Sequence, residues 1–162
     1  MTEQLPDTAR FTEPQKDALN VRDADQDRTL RALHRLERAA GRPASAGPWN
    51  QETLAALVAL DEATSDEQTN ANEPDSLLSD IARTQPRLRN RVRGIRAQHA
   101  QIRQIIVDLR KDMTETEFSD RDNIDLRREI ARLPSILRYH PARESDLIYE
   151  AYFDSFHAEI DN

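Results

Sequence analysis

The chain contains no cysteine, which excludes a disulfide framework, a thiolate zinc site, iron–sulfur ligation and a cysteine nucleophile together. Glycine is nearly as scarce, with 3 in 162 residues. That is too few for a turn-rich β architecture, whereas the abundant Leu, Ala, Arg and Glu favour long helices. No run of about 18 apolar residues occurs, and no basic segment followed by an apolar one opens the sequence. The expectation is a cytoplasmic protein that is neither secreted nor membrane-spanning. Lysine appears only as Lys16 and Lys111 among 23 basic residues, an arginine bias in keeping with a GC-rich bacterial genome. No phosphate loop, dinucleotide fingerprint or nucleophile elbow is present. No reaction is assigned, and an enzyme is the less expected class.

The formal charge of −7 argues against general affinity for nucleic acid. It is unevenly spread. Between Asp61 and Asp80 seven carboxylates meet no base, and between Arg83 and Lys111 nine bases meet Asp108 alone. The two blocks are expected to face each other as neighbouring segments, with a surface for a charged partner as the alternative.

Residues 1–20 carry Pro6 and Pro14 without an apolar period and read as a flexible arm before a single helical domain at 21–162. A first helix is expected from Asp23 to Ala40, with Leu30, Leu33, Leu36 and Ala40 as its stripe, ending at Gly41-Arg42-Pro43. A second starts near Trp49 and carries Leu54, Leu57, Val58 and Leu60; its far end, in the polar stretch after Thr64, is open. Pro74 and Pro86 suit the starts of a short helix and of the next long one. In the third long helix Leu88, Val92, Ile95, His99, Ile102, Ile106, Leu109 and Met113 alternate at spacings of four and three, the seam of a helix in a bundle. The fourth repeats the pattern with Leu126, Ile130, Leu133, Leu137, His140, Glu144, Leu147 and Ala151. Pro134 and Pro141 are expected to kink or break it. The implied fold is all-α, an up-down-up-down four-helix bundle.

Those stripes also carry polar groups inward. His99 replaces an apolar residue in its seam. His140 and Glu144 stand four apart on one helix face, as a pair of metal ligands would. Asp61 falls within the second helix's stripe, and Glu37 and His34 lie on or beside the first. Two readings stay open: a structural polar network, or a metal site of His34, Glu37, Asp61, His99, His140 and Glu144. Imidazole and carboxylate without sulfur suit iron or manganese.

The segments Leu33-His34-Arg35-Leu36-Glu37, Arg96-Ala97-Gln98-His99-Ala100-Gln101-Ile102 and Leu137-Arg138-Tyr139-His140, with Asp146-Leu147-Ile148-Tyr149-Glu150-Ala151-Tyr152, resemble the bacterial hemerythrin-like bundle proteins over residues 25–155. The resemblance implies a four-helix bundle that holds a di-iron or related centre and serves oxygen, iron or redox sensing and handling. It implies ligand roles for His34, His99 and His140, with Glu37, Asp61, Glu144 and Asp146 as carboxylates. The ligand set is degenerate: the second helix has no histidine, the third has one, and His157 completes the four in the chain. The rival expectation is a metal-free helical module that binds a protein partner, or a second copy, through its charged surfaces.

Overall fold

A computed structural model describes residues 11–43, 49–115 and 120–154, and all of its regular elements are helical. They are α1 (Glu13–Ala40), α2 (Trp49–Asn72), α3 (Leu77–Thr84), α4 (Arg89–Glu115), α5 (Asp120–Ile130) and α6 (Leu133–Tyr149). A 3₁₀ turn, Pro86–Leu88, leads into α4, and a π turn, Glu150–Asp154, follows α6. No described helix is long and apolar enough to cross a membrane.

The long helix α1 starts well before the expected Asp23. The Thr12 side chain accepts from the Gln15 amide and Gln15 answers the Thr12 amide, a capping box reinforced by Pro14 in the first turn. The part of the expected arm that lies at residues 1–10 is outside the described residues, as are the segments 44–48 and 116–119 and His157. At the other end, α2 continues through the polar stretch as far as Asn72. Ser76, not Pro74, caps α3 by accepting from the Ser79 amide.

The expected fourth helix is divided in two. It is interrupted at Ala131-Arg132, and Pro134 lies in the first turn of α6, where a missing amide costs no internal hydrogen bond. Pro141, by contrast, sits inside α6, which runs unbroken from Leu133 to Tyr149. Leu137, His140, Glu144 and Leu147 are all buried on either side of it. That packing holds the turns that the proline weakens.

Helix α1 packs on α2, α2 on α4, α4 on α6 and α6 back on α1, so that four helices enclose the core. All eight seam positions of the third expected helix, Leu88 to Met113, are buried. The apolar side chains form two clusters. One contains Leu33, Leu36, Leu57, Leu60, Ile102, Ile106 and Leu137; the other contains Leu19, Leu78, Ile81, Val92, Ile95, Leu147 and Ile148. The layer between them is polar.

Asp61 shows how the acidic and basic blocks meet. It accepts from Arg110 at 2.8 Å and from Arg103, which also donates to the Asp61 carbonyl at 2.9 Å and to Thr64 Oγ1 at 3.1 Å. Burial raises the Asp61 pKa, but these hydrogen bonds and the two positive charges outweigh it and leave the group below the ordinary carboxylate value. Asp61→Ala is therefore expected to cost about 2–3 kcal/mol, just under the roughly 3–5 kcal/mol usual for a broken buried pair, because Arg110 is partly exposed. Urea unfolding checks it, and a cost under about 0.5 kcal/mol, the range of an ordinary surface site, would contradict this role.

Candidate functional site

The polar layer follows from register. On α4, Ile95 belongs to one cluster and Ile102 to the other, so the intervening seam residue, His99, falls between them. On α6, Leu137 and Leu147 bracket His140 and Glu144 in the same way. On α2, Glu67 lies between Ala63 and Ala71, and on α1 Thr29 precedes Leu33. His99, His140, Glu144, Glu67 and Thr29 are all buried. A cavity of about 10 Å³ is lined by Thr29, Thr64, Glu67, His99 and His140 among others. That is near the lower limit for a single water.

The two imidazoles lie with ring centres 4.9 Å apart, tilted by 42°. His140 Nδ1 is 3.0 Å from Gln98 Oε1, which also accepts from Arg143 at 2.9 Å. An arginine can only donate, so that oxygen is an acceptor and Nδ1 carries the proton. Burial, the nearby His140 and the Arg103 charge push the His99 pKa down to about 4, against an upward pull from Glu144. Burial and the charges of Arg143 and Arg22 push His140 down to about 4. Both rings are neutral at pH 7. His140 Nε2 is then a bare lone pair, buried and without a hydrogen-bond partner. It faces Glu144 Oε2 at 3.8 Å.

Glu144 is anchored from its other oxygen. Arg22 Nε donates to Oε1 at 3.0 Å, and the side chains of both residues are over nine-tenths buried. The rest of the guanidinium reaches Ser145 Oγ at 2.9 Å and the Pro141 carbonyl at 3.3 Å. Across the layer, Thr29 Oγ1 donates to Glu67 Oε2 at 2.8 Å. Burial raises the Glu67 pKa to about 7; the negative charges of Glu144 and Asp25 add to this, while the Thr29 hydrogen bond and the Arg22 charge oppose it.

Three of the six residues expected at a metal site, His99, His140 and Glu144, come together. His34 is exposed. Glu37 bonds Arg138 at 3.0 Å on the surface. Asp61 is engaged by its two arginines, and Asp146 is exposed. Among the described residues, no three His, Asp or Glu side chains stand as a ready-made ligand cluster. Sequence reasoning missed Arg22 and Glu67. Both continue a stripe at spacings of three and four, as Leu19, Arg22, Gln26, Thr29 and Leu33 on α1, and as Leu57, Leu60, Thr64, Glu67 and Ala71 on α2.

Fold and site together define an all-helical bundle with a histidine–carboxylate layer buried between two apolar cores. Comparison with protein-family models, with curated proteins and with solved structures finds no match to this chain.

Proposed function

We propose that the chain is a hemerythrin-like cation-binding bundle whose polar layer takes a divalent ion, iron or manganese, at His140, Glu144 and His99. The observation that carries this reading is the orphaned lone pair of His140 Nε2 facing a carboxylate oxygen. Two buried acceptors 3.8 Å apart lack a positive group between them. Metal bonds to imidazole and carboxylate of about 2.0–2.2 Å span that separation, so one ion reaches both atoms. The set is nitrogen and oxygen only, which suits iron or manganese. Gln98 fixes the His140 tautomer and Arg22 holds the other Glu144 oxygen, the orienting role that outer partners of metal ligands commonly play. In this reading the four long helices run up-down-up-down and α6 bends at Pro141. Bound iron would supply redox or oxygen chemistry at buried side chains.

The test is manganese affinity, measured by titration calorimetry on the metal-free chain. His140→Ala and Glu144→Ala are each expected to weaken binding by at least about tenfold, whereas His34→Ala leaves it unchanged. Unchanged affinity in both ligand variants would overturn the assignment of the site. Absence of binding in the wild type would favour the metal-free, partner-binding module.

A further inference from the structure

Beside the histidine layer, α1, α2, α3 and α6 enclose a second, larger cavity of about 370 Å³, within the usual range for a small-molecule pocket. One part of its wall is apolar, made by Ala18 and Val21 of α1, Ala71 of α2, and Leu77 and Leu78 of α3. The remainder is strongly acidic: Asp17, Asp25, Glu67, Glu73, Asp75 and Glu144 line it, against Arg22 as the sole base among the lining residues.

Arg22 is not free to receive an anion. Its Nε is bonded to Glu144, and its terminal nitrogen is bonded to Ser145 and to the Pro141 carbonyl. Asp25 accepts from Asn70 Nδ2 at 2.9 Å, which leaves its second oxygen without a donor on that side chain. The acidic groups are also close enough to act on one another, since Asp25 and Glu144 both push the Glu67 pKa upward. An anionic ligand would meet this field with no uncommitted cation to compensate, whereas a cation would relieve it. A cavity that offers carboxylates on one side and aliphatic carbon on the other matches a molecule with those two ends.

We propose that this cavity binds a small organic cation, a protonated amine with a short aliphatic body. The ammonium is placed against Asp25, Glu67 and Glu144, and the hydrocarbon against Val21, Leu77 and Leu78. The two proposed sites share the Glu144 carboxylate, but the inference does not rest on the metal reading, because the apolar wall and Asp25 take no part in the proposed ion site.

The probe is hexylammonium chloride, titrated by calorimetry into the full metal-free chain, with hexanoate and hexanol as controls of the same chain length. Saturable binding of hexylammonium is expected, at least about tenfold tighter than either control. Val21→Trp places a large side chain at the half-exposed mouth of the cavity, where a change of volume leaves the core packing untouched. Asp25→Asn removes one charge while keeping the shape. Each is expected to weaken hexylammonium binding by about tenfold or more, with helicity and manganese binding retained. Loss of manganese binding alone in a His140→Ala chain, with hexylammonium binding kept, separates the two sites. No saturable binding of hexylammonium, equal binding of hexanoate, or unaltered affinity in Val21→Trp and Asp25→Asn would each overturn the proposal.

Discussion

Replacing Arg22 by methionine is expected to destabilise the metal-free protein by about 3–5 kcal/mol, because it strands the Glu144 carboxylate in the core without its cationic partner. The pair is buried on both sides, with 9% and 7% of the two side chains exposed, so water cannot take the place of the lost guanidinium. A loss of that size is a large share of the roughly 5–15 kcal/mol that holds a typical domain together. The cost should come from the leftover charge and not from the missing contact. Arg22→Met combined with Glu144→Leu is therefore expected to recover most of the stability. Denaturant unfolding of the two single variants and the double variant measures this directly. A single variant no less stable than the double would show that the ion pair is not what holds α1 to α6.

The second large effect is acid sensitivity. The His99 and His140 pKa values fall from 6.5 in the unfolded chain to about 4 in the fold. Their contribution to stability is present above about pH 6.5 and is lost as pH falls through 4, because only the unfolded state then binds the protons. Each shift corresponds to about 3 kcal/mol. Glu67 acts in the opposite sense. Its pKa is raised from 4.5 to about 7, so its contribution is present below pH 4.5 and lost as pH rises through 7. On acidification it returns about what one histidine takes away. The net expected loss between pH 7 and pH 4 is about 3 kcal/mol from this layer. In Glu67→Gln, whose amide oxygen can still accept from Thr29, the compensation disappears. That variant is expected to be more stable than the wild type at pH 8 and to lose about twice as much on acidification. Equal acid sensitivity of the two proteins would show that Glu67 keeps an ordinary pKa.

The parts of this site that could be read from sequence lie where one period runs without interruption. His99 and the His140–Glu144 pair occupy seams whose apolar residues recur at four and three on both sides, and all three are buried as that pattern requires. Asp61 was legible as an inward group, but its partner was not. Helical spacing shows that a carboxylate needs a counter-charge; it does not show that Arg103 and Arg110 of α4 reach across to supply it in place of a metal. His34, at the edge of its stripe, points outward because Leu33 and Leu36 take the buried face.

Arg22 and Glu67 were hidden for a related reason. Both are charged residues standing in apolar stripes, and each interrupts the hydrophobic pattern from which helix ends are judged. The true start of α1 was set by the hydrogen bonds of Thr12 and Gln15, and α2 continued past Thr64 because Glu67 finds Thr29 across the interface. Pro141 does not end the helix. Its local cost is real, but the buried residues on either side of it keep α6 continuous.

The central claim, a divalent-ion site between His140 and Glu144, is tested most directly by metal content after anaerobic loading with ferrous ion and removal of unbound metal. The account predicts retained iron in the wild-type chain, and a loss of most of it in His140→Ala and in His99→Ala with helicity preserved, since the two apolar clusters do not depend on either side chain. A wild-type protein that emerges free of iron, and indistinguishable from both variants in content and absorption spectrum, would contradict it.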